Sequence, residues 1–267
     1  MTLALITGAA SGIGATTATR LADRGFRVIA VDLTDELAAS AAEAVDGIPV
    51  TCDMADRAAV AELCERITNE WKNDLHVVIA NAGVIRIGDV AEQGATDLDI
   101  TLDVNLGAAM QLARAAVSTF LPHDRGHFLA TVSMGGIIAM PGSAAYSASK
   151  AGLRAFLASL HAEVAGTRIR VSGIYPSAVD TPMLRHEARN GGSPLNFVGE
   201  VLSTDDIADA YEKALDTGRL EVYAPYVDSI STRLTMLRPA IVPRLIKPLN
   251  WLGERGRTTF LKRIGHD

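Results

Sequence analysis

The sequence predicts a single-domain α/β protein built on a doubly wound parallel sheet of about seven strands, with helices on both faces. Three observations lead there. Short Val- and Ile-rich runs of strand length alternate with longer stretches whose apolar residues recur at i, i+3 and i+4, the rhythm of a βαβ series. No internal repeat or low-complexity linker divides the chain. Its 267 residues, 48% of them hydrophobic, can bury a sizeable core.

The expected strands are LALIT (3–7), RVIAVD (27–32), IPVTCD (48–53), HVVIAN (76–81), HFLATVS (127–133) and IRVSGIYP (169–176), with LEVYAP (220–225) as a last one. Helical periodicity fills the gaps, as in GATTATRLADRG (14–25) and AAVAELCERITNEW (58–71). STDD at 203–206 reads as an acidic variant of a capping box that opens a helix over IADAYEKAL. Two segments break the rhythm. Residues 183–201 contain Gly191, Gly192 and Pro194 and predict a mobile flap after the sixth strand. Residues 231–267 form an extension to a 1–230 catalytic domain. The extension carries eight Lys/Arg against Glu254 and Asp267, hence +6, and leaves −12 for residues 1–230.

Bulk composition excludes several classes. A net charge of −6 gives no reason for nucleic-acid binding by the whole molecule. Cys52 and Cys64 are too far apart for a CxxC motif and too few for a disulfide framework, so reduced, buried thiols and a cytoplasmic location are expected. The apolar N-terminus lacks the basic flank of a signal peptide, and no run of 18 apolar residues is present. His123 and His127 lie four apart, but Pro122 and Gly126 argue for a loop and no ligand set accompanies them, so no metal is expected.

In an open α/β sheet, ligands bind beyond the carboxyl ends of the strands. After the first strand comes TGAASGIG, in which Gly8, Ser11, Gly12, Ile13 and Gly14 form a tight turn into a helix whose free N–H groups suit a pyrophosphate. This makes the sheet Rossmann-type. Asp32, ending the second strand, can accept bonds from a ribose diol and repel a 2′-phosphate, and neither Ser11 nor Leu33 supplies a cation, so NAD is favoured over NADP. The later strands end in Asp53, in Asn81-Ala82-Gly83, in Ser133 and in Pro176. Tyr146 and Lys150 in YSASK share a helix face, and a nearby ammonium favours the phenolate. Ser133 is placed to hold a substrate oxygen beside that phenol.

TGAASGIG at 7–14, Asp53, ANAG at 80–83, Asn105 in DVNLGA, Ser133, the Tyr146/Lys150 pair and YPSAVDTPM at 175–183 together resemble the short-chain dehydrogenase/reductase family over residues 2 to about 225. The resemblance implies that Tyr146 is the general acid/base and that Lys150 tunes it and binds the nicotinamide ribose. It implies that Ser133 orients the substrate, that Asn105 supports a water-linked proton relay, that Thr181 meets the cofactor near its carboxamide and that Asp53 meets the adenine. It also implies a homodimer or homotetramer built on helices containing 96–120 and 146–165, the second of which offers Ala148, Gly152, Ala155 and Ser159 for close packing. Two departures stand out: Ser177 follows Pro176 where the family usually has glycine, and ANAG replaces the more usual NNAG.

The expected activity is NAD-dependent interconversion of a secondary alcohol and a ketone. The alternatives are an NADP-dependent carbonyl reductase and a non-catalytic dinucleotide sensor. Met183, Leu184, Leu195, Phe197, Val198 and Leu202 predict a hydrophobic substrate, unless they pack the flap onto the domain. The extension interleaves cations with Leu, Ile, Trp251 and Phe260, as a peripheral membrane helix would. Pro239, Pro243 and Pro248 predict that it is broken into short pieces; packing over the cleft or across a subunit interface is the other expectation.

Overall fold

The computed structural model describes residues 2–138, 140–238, 240 and 242–265; Pro239 and Asp267, which figure in the reading of the extension, lie outside them. Seven parallel strands form one sheet: β1 (Leu3–Thr7), β2 (Arg27–Asp32), β3 (Ile48–Thr51), β4 (Leu75–Ala80), β5 (Gly126–Thr131), β6 (Ile169–Pro176) and β7 (Glu221–Ala224), in spatial order 3-2-1-4-5-6-7. The expected strands β1, β2 and β6 match residue for residue. β3 and β5 stop two residues short, at Thr51 and Thr131, because pairing ends there: Thr51 meets Asp32 and Thr131 meets Ile174. Asp53 and Ser133 therefore stand on the turns beyond the strands.

Period-two alternation sends neighbouring residues of each strand into two separate cores. Leu3, Leu5, Ile29 and Val31 enter the layer covered by α3 (Arg57–Asn69), α5 (Ala108–Phe120) and α6 (Ala144–Glu163). Ala4, Ile6, Val28 and Ala30 enter the layer covered by α1 (Gly12–Asp23), α2 (Asp35–Glu43) and α8 (Thr204–Thr217). Burial on both faces is why these strands read as continuous apolar runs. Each fully buried Leu or Ile contributes about 1.5–3 kcal/mol. Cys52 and Cys64 are unpaired and sit in the first core, where burial pushes both thiols up, the Cys52 thiol to about 12. His127 is a strand residue rather than a loop one; its Nε2 is 2.8 Å from Ser172 Oγ, and burial holds the ring neutral, its pKa lowered to about 3.

The capping box forms as expected. Ser203 accepts from the Asp206 amide while Asp206 reaches back to the Ser203 amide, and α8 runs from Thr204 to Gly218, which terminates it in the left-handed region. α4 (Ala95–Leu102) passes into α5 through a π-helical turn, Asp103–Gly107, that carries Asn105. On α6, Ala148, Ala155 and Ser159 face outward, whereas Gly152 lies under Leu106 of the π turn.

The flap carries helical structure, and the extension differs from the expected short pieces. Residues 182–201 contain α7 (Pro182–Arg189) and a short 3-10 turn, Pro194–Phe197. The extension is two helices, α9 (Tyr226–Thr235) and a 23-residue α10 (Val242–Ile264), so the expected boundary at 230/231 falls inside α9. Pro243 does not break α10, because first-turn N–H groups have no partner within the helix; Pro248 is accommodated inside it. Long-range packing sustains the helix. Phe260 and Ile264 join Leu184, Ala188 and Phe197 in a third apolar cluster, with the Phe197 and Phe260 rings 5.4 Å apart. Gly253 and Gly256 lie so close to the Pro194 and Phe197 carbonyls that a Cβ would come within 2.0 Å of each oxygen. Arg263 adds an ion pair to Asp180 at 3.2 Å.

Candidate active site

The strand order reverses between β1 and β4, and the crevice beyond their carboxyl ends is where a doubly wound sheet binds ligands. A cleft of about 220 Å³ lies there, with the glycine turn, Asn81, Gly83, Ser133, Tyr146, Lys150, Pro176, Ser177 and Thr181 in its wall. Gly8 and Gly12 hold φ of +67° and +53°, and a Cβ on Gly14 would sit 1.8 Å from the Gly8 carbonyl oxygen. Only glycine closes this turn. Ser11 occupies the N-cap of α1 without capping it by its side chain, so the first amides of the helix stay open toward the cleft. Thr181 closes the other side: its hydroxyl accepts from Leu184 N at 3.3 Å to cap α7, and its methyl lies 3.1 Å from where a Gly12 Cβ would be.

Asn81 is fixed by threonines that the sequence reading did not single out. Thr7 Oγ1 accepts from the amides of Asn81 and Ala82, both at 3.0 Å, and the Thr131 hydroxyl donates to Asn81 Oδ1 at 2.8 Å. The Thr131 carbonyl accepts from Lys150 Nζ at 2.8 Å, so one residue at the end of β5 anchors both the asparagine and the lysine. No periodicity marks such a residue; it acts through its position at a strand end.

Ser133 Oγ accepts from Gly135 N at 2.9 Å and stands beside the Tyr146 phenol, whose ionised form it favours. Gly135 lets the two approach, since a Cβ there would lie 3.2 Å from the Tyr146 ring and 3.3 Å from Ser133 Oγ. Lys150 Nζ sits 5.8 Å from the Tyr146 ring centroid. Burial pushes the phenol up to about 12, partly offset by the neighbouring Ser133 hydroxyl, and burial pushes the lysine down to about 8. The ammonium itself is turned to the Thr131 carbonyl.

Asn105, Asp32 and Asp53 stand outside the cleft wall. The Asn105 amide is buried behind it, donating to Val84 O at 2.9 Å and Ser149 Oγ at 3.1 Å and accepting from Val84 N at 2.8 Å. Asp32, at the end of β2, accepts from Ala10 N and Leu33 N, both at 2.8 Å, and so braces the glycine turn. Asp53 accepts from Ala55 N at 2.8 Å. Of the six apolar residues expected to line the substrate site, Met183 and Leu184 do so; Phe197 packs against α10. Met140, Ile85, Glu187 and Asn196 are also in the wall and were not foreseen. For Glu187 a signal existed, its i+4 spacing from Met183.

A glycine cradle at a topological switch point, beside an open helix N-terminus, defines a dinucleotide-binding fold. The chain belongs to the short-chain dehydrogenase/reductase family of oxidoreductases, its residues 2–191 matching the short chain dehydrogenase family. It is 37% identical over 231 residues to 1-deoxy-11-beta-hydroxypentalenate dehydrogenase of Streptomyces avermitilis, covering 82% of this chain and 83% of that protein. Among solved structures, a short-chain dehydrogenase from Sphingobium yanoikuyae in complex with NADPH is similar with a TM-score of 0.76 and 26% identity, over 91% of this chain and 96% of that one. The bulky-bulky ketone specific alcohol dehydrogenase of Comamonas testosteroni has a TM-score of 0.74 and 26% identity, over 91% and 94%. The family binds a nicotinamide dinucleotide, and the residues here fit one: Gly8 and Gly12 of the glycine turn line the cleft, and Ser177 Oγ is buried on the cleft wall with no hydrogen-bond partner among the described residues.

Proposed function

We propose that this protein is an NAD-dependent oxidoreductase interconverting a secondary alcohol and a ketone on an apolar frame. The observation that carries the reading is that Ser133, Tyr146 and Lys150 share one cleft with the glycine turn. Gly8, Ser11, Gly12, Ile13, Asn81, Gly83, Pro176 and Thr181 would hold the dinucleotide from the cleft wall, with Gly14 packed behind the turn against the Gly8 carbonyl, Asp32 on the ribose diol and Asp53 by the adenine. A bound nicotinamide would supply the hydride acceptor, and the positive charge of its oxidised form would favour the Tyr146 phenolate. Tyr146 then accepts the proton of the substrate hydroxyl, or returns it in reduction. Ser133 holds the substrate oxygen beside the phenol, and Lys150 stabilises its ionised form. Asn105 keeps the wall behind the lysine in place through Val84 and Ser149. Met183, Leu184, Ile85 and Met140 supply an apolar surface, which supports a bulky substrate of the kind that the name of the Comamonas enzyme states.

The test is titration with NAD and NADP, followed at 340 nm by a panel of secondary alcohols and ketones. Tight NAD binding with turnover of bulky substrates is expected. Tyr146→Phe should lower kcat by roughly 10²- to 10⁴-fold while NAD affinity persists; near wild-type turnover would sink the assignment. Better binding of NADP would refute the Asp32 argument, and binding without turnover would favour a dinucleotide sensor.

A second reading concerns the extension: the outer faces of α9 and α10 meet an anionic membrane surface. Among the described residues no helix is long and apolar enough to cross a membrane. Val227, Ile230, Leu234 and Leu237 are nonetheless exposed at i, i+3, i+7 and i+10, and Leu245, Trp251 and Leu252 are exposed on α10. A cytoplasmic location belongs to the same proposal and is supported by the unpaired thiols. So does a homodimer or homotetramer, to which the outward Ala148, Ala155 and Ser159 lend a close-packing face.

A further inference from the structure

The substrate side of the cleft contains one carboxyl among the described residues that line it, Glu187. It sits on α7 one turn after Met183, and the same helix face presents Leu184 to the cleft. Glu187 is 5% exposed, yet no cation pairs with it among the described residues; Asn196 Nδ2, donating to Oε2 at 3.0 Å, is its one side-chain partner. Burial therefore raises the carboxyl to about 7, and its charge is felt at the Tyr146 phenol, which it pushes up in turn. The carboxyl thus stands within electrostatic reach of the Tyr146 phenol, in a cleft whose wall also includes Ile85, Met140, Met183, Leu184 and Asn196.

A strut between α7 and the 3-10 turn accounts for the Asn196 bond. It does not account for placing a carboxyl on the cleft wall, where an amide or hydroxyl would tie the turn as well without the desolvation. An entirely apolar ligand closing this space would leave the carboxyl buried against hydrocarbon. An anionic ligand would be repelled by its ionised form. A hydroxyl suits it in both protonation states, donating to the carboxylate or accepting from the acid.

We propose that Glu187 binds a second hydroxyl of the substrate, remote from the carbon that is oxidised, so that the substrate class is a diol, polyol or hydroxy-ketone on an apolar frame. The proposal rests on the alcohol–ketone reading of the site and narrows it. The second hydroxyl is bound and not transformed; it orients the frame so that the other carbinol meets Tyr146 and Ser133. A site that hydrogen-bonds a hydroxyl discriminates against the analogue lacking it, because the analogue strands a buried polar group.

The experiment compares a mono-alcohol and the corresponding diol of one ring skeleton, measured with NAD on the full chain as kcat and KM. Wild type should favour the diol by roughly tenfold or more in kcat/KM, mainly through KM. Glu187→Leu should collapse that ratio, and Glu187→Gln, which can still accept from Asn196 and hydrogen-bond a hydroxyl, should retain part of it. Equal wild-type activity on both alcohols would overturn the proposal and leave the alcohol–ketone reading intact. A Glu187→Leu protein that slows both substrates alike, as Asn196→Ala would for a broken strut, would also overturn it. Should Glu187→Leu not fold, the wild-type ratio and its change in Glu187→Gln decide. If NAD binds and neither alcohol reacts, the reading of the site and this inference fall together.

Discussion

Asp32 faces two ways at once. Its carboxylate braces the glycine turn through Ala10 N, and it stands at the strand end where a ribose diol would be read. A cofactor switch must therefore replace the charge without releasing the turn. Asp32→Ser combined with Leu33→Arg keeps a short acceptor and adds a cation, and is expected to move the NAD/NADP ratio of kcat/KM toward NADP by on the order of 100-fold. An unchanged ratio would remove Asp32 from cofactor selection. Lys150 permits a signed prediction about stability. Its folded pKa of about 8 lies below the ordinary 10.5, so the unfolded chain binds that proton more tightly. Stability from this group is present above pH 10.5, is lost as pH falls through 8, and stays at its minimum below. Lys150→Met removes the penalty and strands the Thr131 carbonyl. The variant should be inactive yet more stable than wild type near pH 7, by at most ~2 kcal/mol, the difference between ~3 for the pKa displacement and ~1 for the lost bond. The gap should close by about pH 10, as denaturant titrations across pH would show. A variant less stable at every pH would contradict the sign.

Among the elements, α10 is the one whose existence depends most on remote contacts. It reaches the flap with two glycines against the Pro194 and Phe197 carbonyls and with the Phe260 ring against Phe197. Phe260→Ala should cost on the order of 3 kcal/mol locally. Hydrogen exchange should then quicken in 182–201 ahead of the sheet, and the substrate KM should rise while NAD affinity holds. Uniform exchange across the molecule would mean that α10 does not secure the flap. The strands were legible because double burial writes itself as Val and Ile runs with glycine or a capping residue at the end, and those ends deliver Ser133 and Pro176 without further information. Tyr146 and Lys150 were legible for the same local reason, four residues apart on one helix. α10 was not, because prolines weigh against a helix in any local reading and the packing that outweighs them comes from residues about sixty positions earlier. Glu187 shares that obscurity. Its meaning arises when Asn196, nine residues on, folds back onto it and the cleft closes around both.

At the scale of the whole molecule the charge is divided, −12 over residues 1–230 against +6 over 231–267. The fold does not neutralise that division by contact. Arg263 meets Asp180 and Arg257 meets Glu254, but Arg238, Arg244, Lys247 and Lys262 have no carboxylate partner among the described residues. Beside them Leu237 is 78% exposed, Val227 73% and Trp251 60%, a mixture of cations, aliphatics and an indole that matches an anionic interface better than bulk water. Each basic residue near such a surface is worth about 1 kcal/mol, so four unpaired cations together with the apolar stripe suffice for reversible binding at low salt. The protein should float with vesicles rich in phosphatidylserine, less with neutral ones, and release as ionic strength rises. Leu234→Glu with Leu237→Glu should abolish flotation without altering NAD affinity, because both residues lie on the outer face, away from the cleft. Equal flotation of this double variant and wild type would exclude the membrane role of this stripe. A fall in its mass by size exclusion, with no vesicle binding by wild type, would assign the stripe to a second copy of the chain instead.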